Sequence, residues 1–317
     1  MTPFVSGGKR GFSPESGERA AVSCWQQLGG VPCRSSPGGY DASRMTAMNI
    51  DRTTARYFQL LEALGQAVIV TDRDGVITLW SPAAEALYGG SADEVIGRNI
   101  LDVTPMEVSR AQGAEIMQVL ARGELSSGEF EVRMRGGKAA TASVTDIPLL
   151  DEAGAVAGVI GVSAISRAPT KVRSLLKQFA YACDKVWPKQ INFQIGVPAK
   201  VVIAAAEPHM IQLLAVLILV HADALDRGNG IEIVAGSAEK SPFADFGLAF
   251  VSSAVYIRID RRSQHATYSV LRSLPLSAEP TKYAAGLVRM VGGMLISGSA
   301  PDGLNAMHLF LPLEQSR

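Results

Sequence analysis

The chain has almost no cysteine: Cys24, Cys33 and Cys183 are the three among 317 residues. So few thiols, so widely spaced, cannot form a disulfide framework, and free thiols point to a reducing compartment, the cytoplasm. Charge of one sign is also lacking. Thirty basic residues cancel thirty acidic ones with no long run of either, which excludes the electrostatic footprint of a direct nucleic-acid binder or a polybasic membrane-surface protein. No apolar run reaches the ~20 residues that a spanning helix needs. The longest, IQLLAVLILV from Ile211, is broken by Gln212 and preceded by Glu207-Pro208-His209. No apolar stretch follows Lys9-Arg10, so no signal peptide is predicted. Histidine is scarce as well: His209, His221, His265 and His308 lie too far apart to read as a metal set. These absences predict a soluble cytoplasmic protein with no metal site and no membrane contact.

What is present divides the chain into four parts. Residues 1–48 are rich in Gly, Ser, Pro and Arg without periodicity and predict a disordered segment, with Met45 and Met48 as alternative starts. Residues 49–166 begin with Tyr57, Leu60, Leu61 and Leu64 at helical spacing, stopped by Gly65. AVIVTDRDGVITLW then gives two strands joined at Asp72-Arg73-Asp74-Gly75. Short helices follow, one with Ser91 as N-cap and Glu94 three residues on, then a longer helix over about Met106 to Arg122. GEFEVRMRG, KAATASVTDIPLLD and AVAGVIGVSAIS complete the unit as strands. This order predicts an α+β fold with a five-stranded antiparallel sheet carrying helices on one face.

Within it, VTDRDGVITLWSPAAEALYGGSADEVIGRNI resembles the opening half of a PAS domain. The D-x-x-G hairpin, the aromatic before S-x-A-A-E and the S-x-x-E-x-I-G-R step carry the resemblance. It implies a pocket between sheet and helices, and a role in signal transduction. Absences limit what such a pocket holds. No histidine precedes His209, which excludes a haem held by an imidazole of this domain. No cysteine lies between residues 34 and 182, and Gly97-Arg98-Asn99 is followed by Ile100-Leu101-Asp102. The flavin–thiol photochemistry of LOV-type members and a thioester chromophore are both excluded. A noncovalent small ligand, flavin included, stays open, with Trp80 as a candidate to stack on it, although filling the edge of the core is the favoured role for Trp80. Arg98 and Glu85 could form an ion pair near the pocket mouth, with a structural role favoured over a functional one.

Residues 167–190 predict one connecting helix with Pro169 in its first turn. Val172, Leu176, Phe179, Cys183 and Val186 follow the a/d spacing of a coiled-coil seam. The seam suits either a homodimer formed through the helices flanking the PAS unit or an intramolecular core. Cys183 on it reads as a packed thiol.

Residues 191–317 alternate strands and helices and predict a two-layer α/β sandwich. INFQIGV, KVVIAAA, IEIVAG, VSSAVYIRID, MLISGSA and AMHLFLPL read as strands; the Ile211 run and AEPTKYAAGLVRMVGG read as helices. The Glu207-Pro208 that opens the apolar helix, its small-residue exit, Gly292-Gly293 and the final F-L-P-L strand resemble the ATP-binding domain of sensor histidine kinases. Where that resemblance implies a magnesium-binding Asn, this chain has His221, or Val220 in the neighbouring register. Neither supplies the oxygen that magnesium prefers. Asp260 stands where the adenine-binding Asp is implied, but Arg261-Arg262-Ser263-Gln264 replaces its glycines, and the lid segment keeps only Gly286. The implied phosphoacceptor histidine is missing, since residues 167–190 contain none. The expectation is a noncatalytic, degenerate histidine-kinase-like unit without ATP binding. It would act through a protein partner, with a contact surface around His221, Asp223 and Arg227, and reach transcription only indirectly. Two alternatives stand beside it: a divergent ATP-binding kinase that phosphorylates a partner, using Asp260 and Asp223, and a ligand-binding PAS sensor.

Overall fold

The computed structural model describes residues 52–104, 110–134, 138–151, 153, 155–166, 169–221, 225, 228, 230–238, 254–261, 280–299 and 305–313. The predicted disordered segment, His265, Asp223 and Arg227 lie outside the described residues, as do residues 273–279 of the lid segment.

Helix α1 (Arg52–Ala63) precedes the hairpin of β1 (Ala67–Asp72) and β2 (Ile77–Trp80). The hairpin closes where the sequence indicates. Asp72 Oδ1 accepts from the amides of Asp74 and Val76, both at 2.9 Å, and Gly75 takes a left-handed φ of 78°, which a side chain would resist. Ser81 starts α2 (Pro82–Tyr88) by accepting the Ala84 amide on its Oγ. The Ser91–Glu94 capping box starts α3 (Ala92–Val95), and Asn99 caps α4 (Ile100–Val103). Then come α5 (Arg110–Ala121), β3 (Ser126–Arg133), β4 (Ala139–Leu150) and β5 (Val156–Ile165). The sheet is five-stranded and antiparallel, in the order β2-β1-β5-β4-β3.

The connector departs from expectation. Pro169 does not open a helix: β6 (Thr170–Lys171) comes first, and α6 (Val172–Val186) starts after Lys171. The cause is a local pairing. β6 pairs antiparallel with β8 (Val202–Ile203), and the Thr170 hydroxyl donates to the Ala205 carbonyl at 2.6 Å. The strand expected over KVVIAAA is thereby reduced to two residues that bind the connector instead of the main sheet. Of the seam, Val172, Leu176, Phe179 and Cys183 are buried within this chain, together with Leu175 and Ala182. Burial drives the Cys183 thiol well above its ordinary pKa, leaving it a packing group.

The second sheet contains β7 (Ile191–Ile195), β9 (Ile231–Ala238), β10 (Ala254–Arg261), β11 (Met294–Ser299) and β12 (Asn305–Pro312) in the order β11-β12-β10-β9-β7. It is mixed, because β7 runs parallel to β9 while the other pairs are antiparallel. α7 (Glu207–Leu219) and α8 (Pro280–Met290) pack on it and on each other.

The apolar stretch from Ile211 is α7, and every residue from Met210 to Leu219 is buried. A helix layered on one sheet needs a single apolar stripe, whereas one buried on both sides is apolar all round. Here α7 is covered on one side by its own unit and on the other by α1 and β5 of the first unit. One continuous hydrophobic core therefore joins Tyr57, Leu61, Ile147 and Val162 of the first unit to Leu214, Ile257 and Leu287 of the second. No helix among the described residues is long and apolar enough to cross a membrane.

Candidate functional site

The first sheet uses its two faces differently, because side chains alternate along each strand. On β4, Ser143, Thr145 and Ile147 point toward the second unit, while Val144 and Asp146 point into a cavity of about 390 Å³. α2, α4 and α5 close this cavity with Tyr88, Ile100, Leu101, Thr104, Ile116 and Met117, and Phe130, Val159 and Ile69 form apolar sheet wall.

One wall is polar. Asp146 stands directly across β5 from Gly161, and Val144 from Ser163. A Cβ at position 161 would lie 3.4 Å from Asp146 Oδ1, so glycine leaves the carboxyl room to face the cavity. Beside it, the Tyr88 hydroxyl donates to Ser163 Oγ at 2.8 Å. Burial raises the Asp146 pKa from 3.8 to about 7. Burial, offset by the Ser163 bond and reinforced by the Asp146 charge, pushes Tyr88 up to about 12. Among the described residues three further charged residues, Asp72, Arg73 and Asp74, line the cavity at its rim. Asp72 holds the hairpin amides, Arg73 pairs with Asp151 at 3.0 Å, and the Asp74 carbonyl accepts from Asn99 Nδ2 at 2.8 Å.

Trp80, the sequence candidate for stacking on a ligand, is not in the cavity wall. It is buried in the core, with its indole N–H on the Gly90 carbonyl at 3.2 Å and its ring 5.8 Å from that of Tyr88. Glu85 is taken by the Ala92 amide at 2.7 Å and not by Arg98. Asp146, Tyr88 and Ser163 were not singled out from the sequence. The available signal was an aspartate inside a strand between Val144 and Ile147, a residue type depleted from strands.

The outward face of the same strands meets α7. His209 Nε2 lies 2.7 Å from Ser143 Oγ and 3.3 Å from Ser127 Oγ. Burial lowers the His209 pKa, with the Glu129 charge acting the other way. Further along the interface the Tyr57 and Tyr283 hydroxyls are 3.3 Å apart, and a Cβ on Gly286 would be only 2.5 Å from Leu125. α8 thus lies directly against the first unit.

The two residues expected to mark a nucleotide site do not converge. His221 is buried just beyond α7, within the helical layer. On β10, Val255, Ile257 and Ile259 face the helices, so Asp260 belongs to the opposite face with Arg258, which it pairs at 2.6 Å. Opposite it on β9 is Glu232, which accepts from Asn192 and Gln194 at 3.1 and 2.7 Å. Among the described residues no group of His, Cys, Asp and Glu is arranged to hold a metal ion.

Comparison with known proteins bears on the first unit. A family model described as the PAS fold matches residues 55–163. Among solved structures, the PAS domain of a Colwellia psychrerythraea protein is 21% identical, with 34% of this chain and 92% of that one covered and a TM-score of 0.31. The blue-light activated histidine kinase EL346 of Erythrobacter litoralis is 10% identical, with 79% and 100% covered and a TM-score of 0.39. The light-state structure of the blue-light photoreceptor Aureochrome1 LOV is 21% identical over 34% of this chain and 87% of that one, at a TM-score of 0.29. No curated protein matches the sequence. With the strand order and the capped short helices, the family match identifies residues 55–163 as a PAS domain.

Proposed function

We propose that this chain is a cytoplasmic signal-transduction protein in which a ligand-responsive PAS domain is docked on a degenerate, noncatalytic histidine-kinase-like unit. The observation that carries this reading is the shared core. α7, the helix that would line a nucleotide site, is buried between the two units, and His209 on it bonds the PAS sheet directly. A change in the PAS domain is thus felt at α7 without an intervening linker. The output is a contact with a protein partner, biased by whichever state the input favours. His221 in place of a magnesium-binding amide, and Asp260 bound to Arg258, support the loss of nucleotide chemistry. A homodimer through α1 and α6 would use their outward sides, where Tyr181 is 68% exposed, because the apolar sides are buried within the chain.

Calorimetry of the full chain with ATP and magnesium tests this reading. The expected result is no binding tighter than roughly 1 mM. Tighter binding that is lost in Asp260→Ala would establish the competing reading, a divergent kinase acting on a partner.

A further inference from the structure

We propose that the PAS cavity selects a small, largely apolar molecule carrying a protonated amine, with Asp146 as the group that recognises it. The inference rests on the reading of the PAS domain as ligand-responsive and names the chemical class of that ligand.

A carboxyl surrounded by protein is stable when paired with a cation or supplied with hydrogen-bond donors, and otherwise it keeps its proton. Among the described residues none donates a hydrogen bond to Asp146, and its pKa is accordingly raised by burial. Arg73 is the cationic side chain of the lining, and it is held at the rim by Asp151. Among the described residues the lining contains no Lys or His. The remaining charged residues there, Asp72 and Asp74, are acidic and sit at the hairpin mouth. An anionic ligand would meet three carboxyls, whereas an amine entering past Asp72 and Asp74 would meet favourable charge along the path. At the bottom, Asp146 provides the counter-charge, and the Tyr88–Ser163 hydroxyl pair stands on the same wall. Ile69, Phe130, Val144 and Val159 offer apolar surface for the rest of the molecule. A cavity of about 390 Å³ falls in the range that takes compact ligands.

The test is calorimetric titration of the full chain with three probes that share one apolar body: tryptamine, tryptophol and indole-3-acetate. The expected order is tryptamine, then tryptophol, then the acid. In Asp146→Asn, tryptamine should weaken roughly ten- to hundredfold, as expected for a hydrogen bond to a charged group, while tryptophol changes little. The unaltered chain supplies a second measurement. Its affinity for tryptamine should rise between about pH 6 and pH 8 as Asp146 loses its proton, and tryptophol affinity should stay level. Equal binding of all three probes, a preference for the acid, or a level pH profile for tryptamine overturns the amine class and leaves the cavity as a ligand site. Failure of all three to bind overturns the proposal and the ligand-responsive reading together, and leaves the outcome of the ATP titration untouched.

Discussion

Replacing Asp146 with Asn should stabilise the protein, and the gain should depend on pH in a defined direction. The folded state holds the Asp146 proton up to about 7, whereas the ordinary value is 3.8. Between those values the folded chain binds more protons than the unfolded one, so stability falls as pH rises, and the full penalty is present above the folded value. Such a displacement corresponds to roughly 4 kcal/mol between the acid and alkaline limits, of which about 2–3 kcal/mol falls between pH 5 and pH 8. Asn keeps the shape and cannot ionise, so it removes that slope. The assay is urea denaturation of both proteins at the two pH values, followed by the fluorescence of the buried Trp80 and Trp187. With ~2 kcal/mol per molar urea, the midpoint difference between variant and parent should grow by about 1 M from pH 5 to pH 8. Midpoints that move in parallel would show that Asp146 is hydrated or paired in the folded state, and would refute the electrostatic account of the cavity.

Two further substitutions test the sheet and the interface. Gly158→Ala would place a Cβ 2.1 Å from the Thr71 carbonyl oxygen, backbone that cannot rotate away, so β1 and β5 must part; a loss of about 1–3 kcal/mol is expected by thermal unfolding. Gly113→Ala is its control, since a Cβ there meets nothing within 4 Å on α5, and a gain of up to ~1 kcal/mol is expected from helix propensity. His209→Ala should weaken the bond between α7 and β4, read as faster amide exchange in both elements. Because burial holds its pKa below the ordinary 6.5, the parent loses stability as pH falls below that value, and the variant should lose that acid slope.

Local chemistry made the PAS half readable. Asp72 and Gly75 specify a hairpin, Ser81, Ser91 and Asn99 specify helix starts, and each does so through atoms a few residues apart. The second sheet was visible in outline for the same reason, since Val255, Ile257 and Ile259 alternate along β10 with Tyr256, Arg258 and Asp260. Features that depend on partners distant in sequence are less legible. Pro169 reads as a helix start until Ile203 pairs with Thr170. The seam on α6 reads equally as dimer or core until α1 and α7 are seen against it. Trp80 sits in the core, the reading its sequence context favours over a stacking role, with its N–H on the Gly90 carbonyl and its ring against Tyr88. Asp146 is not legible as a site residue in the sequence, because a lone acid in a strand gives no sign of which face it occupies until the register with Gly161 is known.

That register also fixes what lies between the cavity and the second unit. Along β4, Asp146 faces the cavity while Thr145 and Ile147 face the second unit, and Ser143 two residues further holds His209. Adjacent residues of a strand share peptide planes, so Asp146 cannot shift along or out of the sheet while Thr145 and Ile147 stay fixed. β3 and β5 flank β4 on both sides and limit its freedom to a displacement of the strand as a whole. Ser127 on β3 makes the second contact to His209, so a movement of β4 relative to β3 alters the two His209 distances, 2.7 and 3.3 Å, against each other. The close packing of Gly286 on Leu125 sets α8 against the start of β3 in the same way. Under the proposed function, a charge placed beside Asp146 would act on α7 and α8 through a single strand's thickness, and the buried apolar helix α7 would be the part that receives it.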